Sequence, residues 1–155
     1  MNHRKRWLIL GVCLLLFLGL ILRYVPFNYF NPDNALFPPP ASAFRLELDS
    51  PLPSELKVGD QLTVTVRLIN RSWMSYKCST GEALFHIFLK KPGQEFGETR
   101  PYNYFMLWAG VNKTESATFD ITSADDYTLI VYAYFSIGGQ NYHYQLDDVV
   151  FHVIE

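Results

Sequence analysis

The sequence predicts an all-β fold: an immunoglobulin-like antiparallel β-sandwich of about seven to nine strands, preceded by one N-terminal transmembrane helix. Three observations carry this prediction. Residues 7–22 form an apolar run without a charge, and from residue 44 onward apolar side chains recur at every second position. Twelve Phe, ten Tyr and three Trp provide enough large apolar side chains for a folded core, which excludes a disordered polymer.

The apolar run predicts a membrane-spanning signal-anchor helix over residues 7–25. At the α-helical rise this segment is about 28 Å long, close to the hydrocarbon thickness of a bilayer, provided that Arg23 reaches up to the interface. Arg4, Lys5 and Arg6 precede the run, whereas Arg23 alone follows it. This asymmetry predicts a cytoplasmic basic segment over residues 1–6 and a single-pass cell-membrane protein with an extracytoplasmic C-terminal domain.

Two alternatives to an uncleaved anchor stay open. A cleaved signal peptide has the same charged start and apolar run, but it needs small residues just after that run. Here bulky residues follow over 23–27, and the nearest Ala-x-Ala sequence ends only at Ala43. The sequence therefore favours the anchor over a cleaved signal, and also over a helix in the core of a soluble protein.

Residues 26–43 predict a proline-rich linker. Pro26, Pro32 and Pro38–Pro40 lack backbone donors and fix φ, which excludes a long helix or a central strand. The triple proline favours an extended spacer, so we expect a semi-rigid stalk. The aromatic residues of the linker support a second interpretation, in which this segment packs on the membrane surface or on the domain.

The sandwich domain is expected over residues 44–155, because the two-residue period begins at Phe44. Segments rich in Gly, Pro, Ser and Asp interrupt the period and predict turns, for example at Ser50–Ser54 and Val58–Asp60. The expected strands are 44–48, 61–70, 73–78, 83–89, 104–108, 116–122, 126–137, 142–146 and 149–154.

The clearest strand is 126–137, where five apolar residues alternate on one face: Tyr127, Leu129, Val131, Ala133 and Phe135. Asp125-Asp126-Tyr127 at its start suits a tyrosine corner, and Ile137-Gly138-Gly139-Gln140 at its end predicts a hairpin. The longest polar segment, Gln94–Asn103, is expected to be a loop. A barrel is the main structural alternative to the sandwich.

Three short motifs resemble the BsuPI family of bacterial proteinase-inhibitor domains. They are Val66–Ser72, then Cys78–Gly81 leading into Ala83–Phe88, and later Tyr127–Leu129. In that family a strand ends in an Asn-x-Ser-like turn, and a Ser-Thr-Gly turn leads into an apolar strand. The resemblance covers about residues 62–135 and implies an immunoglobulin-like fold; it also implies proteinase inhibition as an alternative function, without indicating the inhibitory residues. An inhibitor of this kind would insert a loop, such as Gln94–Asn103, into an enzyme cleft.

Residue patterns for catalysis, metals and cofactors are missing. His3, His86, His143 and His152 lie on separate segments without metal-ligand spacing, and no nucleophile or phosphate-binding motif occurs. We therefore expect no enzyme activity, no metal and no cofactor. Residues 44–155 carry 9 basic and 14 acidic side chains, and this excess of acidic residues argues against attraction of the domain to an anionic membrane or to nucleic acid.

Cys78 is the single thiol of the soluble part, and we expect it to be buried and reduced, or else free to form an intermolecular bridge. Asn70-Arg71-Ser72 and Asn112-Lys113-Thr114 match the acceptor sequence for N-glycosylation, which has meaning only in a eukaryotic secretory host. We interpret both matches as chance.

The aromatic residues are the best positive indication of function, because Tyr and Trp mark binding surfaces. We expect Tyr132 and Tyr134 to share one exposed face with Tyr142 and Tyr144 across the hairpin, with His143 on the other face. The full set of candidate partner-binding residues is Tyr102, Tyr104, Trp108, Tyr132, Tyr134, Tyr142 and Tyr144. The alternative is that these aromatic residues merely fill the sandwich.

Together these features predict a membrane-anchored, non-catalytic binding module. Its expected partners are the lipid bilayer, through residues 7–25, and an unknown protein or envelope component. Proteinase inhibition is the alternative function.

Overall fold

The apolar N-terminal segment forms a single α-helix, α1, from His3 to Tyr24 in the computed structural model of the chain. The structure describes residues 3–26, 28–29, 38–81, 83–101 and 104–155, with side chains in all of these ranges except over 96–101. None of the residues of α1 is buried, and the helix is long and apolar enough to cross a membrane. The expected N-terminal helix is confirmed, and its first turn extends back through the basic residues.

Eleven β-strands follow in the described part of the chain, after a short 3₁₀ turn at Ala41–Ala43. Four of them (β1, β3, β9 and β11) have the bounds expected from the sequence. The strands are β1 Phe44–Leu48, β2 Leu56–Lys57, β3 Gln61–Asn70, β4 Tyr76–Ser79, β5 Ala83–Lys91, β6 Gln94–Pro101, β7 Tyr104–Leu107, β8 Asn112–Asp120, β9 Asp126–Ile137, β10 Gln140–Gln145 and β11 Val149–Ile154.

The expected number of strands is too low because β2 and β6 carry no alternating pattern. The two residues of β2 are too few to show one, and β6 is a polar strand at the outer side of β5. The expectation of a loop over 94–103 is therefore wrong for Gln94–Pro101, which pairs antiparallel with β5. A strand with only one neighbour can be polar, since main-chain hydrogen bonds hold it irrespective of its side chains.

The strands form two sheets, which confirms the sandwich. The smaller sheet has the order β1-β3-β8. In the larger sheet, β9 is central: β5 and then β6 lie on one side, and β10 and β11 share the other side. Nearer the C-terminal end of β9, its neighbour on the β5 side is β4 instead of β5, through the pair Ser79–Ser136. β7 pairs with the other edge of β4. All pairs are antiparallel except the short parallel pair of β2 and β11.

The core lies between the two sheets and follows the alternation of the sequence. The inward residues of β9, from Tyr127 to Ile137, face inward residues of β3, and both sets are buried. Phe44 lies at one end of this core, with its ring edge-on to Phe135 at a centroid distance of 5.3 Å. The hydroxyl of Tyr127 lies 3.1 Å from Ser123 Oγ, four positions upstream, in the place expected for a tyrosine corner.

The helix joins one end of the sandwich, which we call the helix end. There the hydroxyl of Ser75 donates a 2.6 Å hydrogen bond to the carbonyl oxygen of Arg23, at the end of α1. The side chain of Asn28 donates to the backbone oxygen of Lys77 and accepts from its backbone nitrogen. The opposite end, which contains the β2–β3 turn, is the far end; β3 runs about 33 Å between the two.

Candidate ligand-binding face

The register of the β9–β10 hairpin determines which of its side chains lie on the outer face of the larger sheet. Gly138 and Gly139 both have positive φ values, 58° and 77°, which glycine adopts without strain and which form a tight two-residue turn. The turn sets Gln140 opposite Ile137, so Tyr142 lies opposite Phe135, and His143 lies opposite Tyr134. Directly opposed residues share a face of the sheet, so His143 joins Tyr134 outside.

The expected placement of Tyr142 and Tyr144 is therefore wrong, because both lie on the core face of the hairpin. Tyr142 is only 3% exposed and stacks on Phe135, with ring centroids 5.3 Å apart. Its hydroxyl donates to the carbonyl oxygen of Pro39 at 2.7 Å, and the hydroxyl of Tyr144 donates to that of Ala41 at the same distance. Burial raises the pKa of each of these two tyrosines to about 12.

Four rings stand in a row on the outer face, and we call them the aromatic ladder. The ring of Tyr132 is stacked on that of His86, with centroids 4.4 Å apart and planes 10° from parallel. Phe88 and His143 continue the row, 6.0 Å and 5.6 Å from Tyr132. Stacked rings cover one another's faces, so the face of Tyr132 toward His86 is not open to a ligand.

An open groove runs from the aromatic ladder toward the helix end, and we call it the outer groove. It consists of two hollows of about 460 and 470 Å³ that share Gly81 and Tyr134. The groove lies where the neighbour of β9 changes from β4, at the pair Ser79–Ser136, to β5, at the pair Phe85–Ala133. The hollow at the ladder is lined by Ala83, His86, Tyr132 and His143, and the other hollow by Ser79, Thr80, Tyr104, Ser136 and Asn141.

Aromatic side chains line the sides of the outer groove, and hydroxyl groups lie between them. Tyr104 is 52% exposed and Tyr134 is 38% exposed, and between them the hydroxyls of Ser79 and Ser136 lie 2.6 Å apart. The ammonium of Lys77 lies 5.2 Å from the ring centroid of Tyr104. Among the described residues, no Lys, Arg, Asp or Glu lines the groove. The site can therefore offer hydroxyl, amide and aromatic contacts to an uncharged polar ligand.

Three of the seven expected partner-binding residues meet in this groove: Tyr104, Tyr132 and Tyr134. Trp108 is exposed but lies after β7, at the helix end, and Tyr102 lies outside the described residues. The groove residues that the sequence analysis missed are His86, His143, Ser79, Ser136 and Asn141. The outward positions of His143 and Asn141 could have been predicted from the Gly138-Gly139 turn, since a two-residue loop determines which residues of the two strands lie opposite each other.

The described residues provide no constellation for metal or thiol chemistry. No group of three or more His, Cys, Asp or Glu side chains lies close enough to hold a metal ion in the ranges that the structure covers. Cys78 is fully buried in the core, and burial raises the pKa of its thiol. A buried neutral thiol is inert, so Cys78 does not contribute chemistry to the groove.

No protein-family model matches the chain, and no curated protein sequence matches it. Among solved structures, a β-glucosidase from Listeria innocua in complex with laminaribiose is similar to 72% of this chain, with a TM-score of 0.47 and 19% identity; the match covers 16% of that protein. A PapD-like domain of human CEP192 matches 78% of this chain and 92% of its own length, with a TM-score of 0.46 and 14% identity. At these values the likenesses assign no function to the chain.

Proposed function

We propose that this chain is a single-pass membrane protein that presents a non-catalytic binding domain outside the cytoplasm, with the outer groove as its ligand-binding site. The observation that carries this proposal is the groove itself. Two contiguous hollows, each of more than 400 Å³, lie between partly exposed tyrosines on the outer face of a rigid sheet. A concave surface with aromatic walls and a few polar groups is the usual form of a binding site.

The membrane anchor is supported by α1. The helix is exposed along its length and carries Arg4, Lys5 and Arg6 in its first turns. An exposed apolar helix on a soluble protein would leave a large apolar surface in water, whereas a bilayer removes that cost. The basic start supports a cytoplasmic N-terminus by the positive-inside rule, with the sandwich on the opposite side of the membrane.

The chemistry of the groove favours an uncharged, hydrogen-bonding ligand, and we propose a segment of a partner protein. Peptide groups match the hydroxyls of Ser79 and Ser136 and the amide of Asn141 in donors and acceptors. A sugar ring stacks on an open aromatic face, and in the aromatic ladder His86 and Tyr132 already cover one face of each other. An envelope polysaccharide is therefore the less favoured ligand.

Site-specific photo-cross-linking in intact cells tests this proposal. A photoreactive phenylalanine analogue replaces Tyr134 in the groove, and in a control chain it replaces Thr118, which is exposed on the smaller sheet. We expect a protease-sensitive adduct from position 134 only, and we expect Asn141→Ala to reduce its yield several-fold. Identical adducts from both positions, or an adduct that Asn141→Ala leaves unchanged, contradict a ligand in the groove. An adduct that only glycosidases degrade identifies a polysaccharide instead.

The topology is tested separately with a reporter fused after Glu155 that is active only outside the cytoplasm. We expect activity from the full chain and loss of activity when Arg4, Lys5 and Arg6 are replaced by Glu, because the orientation signal is then removed. Cytoplasmic reporter activity from the unmodified chain contradicts the extracytoplasmic location. The cross-linking test of the groove does not depend on the result of this topology experiment.

Proteinase inhibition stays a prediction that no contact in the described part of the chain favours. The segment expected to enter an enzyme cleft is paired with β5 over Gln94–Pro101, so it is not a free loop. Assaying the purified chain against a panel of proteases at equal molar amounts would test inhibition directly.

A further inference from the structure

We infer that the helix end of the sandwich rests in the interface of the lipid bilayer, with Trp73, Trp108 and Val111 as a second membrane contact beside α1. This inference rests on the membrane anchor of the proposed function and adds to it. It names a surface of the folded domain whose partner is the lipid headgroup region. The domain would then stand upright on the membrane, at a defined height.

The first support is the position of Trp73 relative to the helix. Trp73 lies against the side of α1: a Cβ atom built on Gly19 would lie 4.0 Å from Cζ2 of its indole ring. Gly19 precedes Arg23 by four residues, so it lies about 6 Å deeper along the helix axis than Arg23. With residues 7–25 across the hydrocarbon core, an indole beside Gly19 lies within the apolar segment, just below the interface at which Trp is enriched in membrane proteins.

The second support is that three large apolar side chains protrude together at this end. Trp73 is 53% exposed, Trp108 is 41% exposed and Val111 is 49% exposed. They belong to two neighbouring loops that are hydrogen-bonded to each other. The backbone nitrogen of Ala109 donates to Ser75 Oγ at 2.9 Å, and that of Gly110 donates to the carbonyl oxygen of Asn70 at 3.1 Å. The loops therefore form one apolar rim around the end of the helix.

The third support is the distribution of charge between the two ends. Over residues 69–75 and 107–113, the charged residues are Arg71 and Lys113, with no acidic residue. Arg23 adds another basic side chain at this end, and so does Arg45, which is ion-paired with Glu47 at 3.0 Å. The acidic residues at the far end are Asp60, Asp120, Asp125 and Asp126, and they outnumber the basic residues there, Lys57 and Lys91. Anionic headgroups attract the first end and repel the second, which favours an upright orientation.

The bilayer is the occupant that these observations favour over a soluble partner. The rim is continuous with the apolar surface of α1, and a partner protein at this place would have to displace the lipid that surrounds the helix. Bonds at both described ends of the linker also hold the sandwich close to the helix, through Asn28 and Lys77 and through Pro39 and Tyr142. The domain is therefore placed to contact lipid without any rearrangement.

Fluorescence quenching by brominated phospholipids tests the inference on the full chain in vesicles of phosphatidylcholine and phosphatidylglycerol. Four single-tryptophan chains are compared: those that retain only Trp7, only Trp73 or only Trp108, and one in which all three are Phe and Val58→Trp provides the reporter. Val58 is an exposed residue of the far-end turn, so it is the matched control. We expect Trp73 and Trp108 to be quenched several-fold more strongly than the Val58→Trp reporter.

The outcomes of this experiment distinguish a failure of the second membrane contact from a failure of the membrane anchor. Quenching of Trp7 reports insertion of the helix, because Trp7 lies within the apolar segment and outside the sandwich. If Trp7 is quenched and Trp108 is no more quenched than the Val58→Trp reporter, the anchor holds and the second membrane contact is wrong. If Trp7 is not quenched, the anchor fails and the inference fails with it. Trp108 is the decisive position, since lipid around α1 can reach Trp73 from the helix side.

Discussion

The hydroxyl of Tyr142 donates a 2.7 Å hydrogen bond to the carbonyl oxygen of Pro39, 103 positions earlier in the chain. Tyr144 forms the same contact with Ala41. The β9–β10 hairpin thus holds the residues that lead into β1, and Phe44 then packs its ring edge against Tyr142 at 5.6 Å. The last residues of the proline-rich linker are therefore part of the folded unit, which agrees with the interpretation that the linker packs on the domain.

Alkaline pH should destabilise the domain through these two tyrosines. Their pKa values are raised to about 12 by burial, so the folded state holds the phenolic protons more tightly than the unfolded state does. This stabilisation is complete below the unfolded pKa of about 10 and is lost as the pH rises through the folded values. We expect the free energy of unfolding by urea to decrease over this interval. Tyr142→Phe combined with Tyr144→Phe should flatten the decrease, and parallel curves for both chains would contradict the prediction.

Asn70 should be essential for the stability of the helix end. Its buried amide nitrogen donates to the backbone oxygens of Met74 and Leu107, and its oxygen accepts from the backbone and the hydroxyl of Ser72. Asn70→Ala leaves these groups unpaired, at a cost of about 1–3 kcal/mol for each that stays buried. Urea unfolding measures this loss. Asn112→Ala, at the exposed first residue of the other sequon, is the control and should change stability by less than about 0.5 kcal/mol.

The same contacts bear on glycosylation. Because the Asn70 amide is buried and fully hydrogen-bonded, a glycan cannot be attached to it in the folded domain. This agrees with the interpretation of the Asn70 sequon as a chance match.

Cys78 should be unreactive in the native protein. Its side chain is buried and burial raises the pKa of the thiol, so the thiolate that attacks a disulfide reagent is almost absent. In a Cys13→Ala chain we expect Cys78 to react with Ellman's reagent only at urea concentrations that unfold the domain. Rapid stoichiometric reaction in buffer would show that the thiol is accessible, and would revive the alternative of an intermolecular bridge.

Ser75→Ala should loosen the connection between α1 and the sandwich. The Ser75 hydroxyl joins the end of the helix to the turn after β7, donating to Arg23 and accepting from Ala109. Without it we expect a broader distribution of distances between spin labels on α1 and on β3, measured by pulsed electron spin resonance in vesicles. Ser54→Ala, at an exposed position between β1 and β2, is the control. An unchanged distribution in Ser75→Ala would contradict this prediction and would mean that the remaining contacts, those of Asn28 with Lys77 and of Trp73 with the side of α1, are sufficient to hold the helix.

The net charge of the domain does not show how its acidic and basic residues are distributed between the two ends of the sandwich, whereas the structure does. From composition, residues 44–155 look acidic throughout, which argued against attraction to an anionic surface. In the fold, Asp60 of the β2–β3 turn, Asp120 at the end of β8, and Asp125 and Asp126 at the start of β9 collect at the far end, away from Arg71 and Lys113. A sum over the chain cannot show this separation, because it depends on which strand ends lie side by side.

Local patterns were sufficient to predict α1, the alternating strands and the buried face of β9, since apolar spacing and turn residues act within a few positions. They were not sufficient for β6, a polar strand held by its neighbour, or for the face of Tyr142, which depends on register. The outer groove required the tertiary structure altogether: Ser79 and Ser136 meet across 57 positions because β4 takes the place of β5 beside β9. Sheet order and register are set by the simultaneous burial of all inward faces, which no single segment encodes.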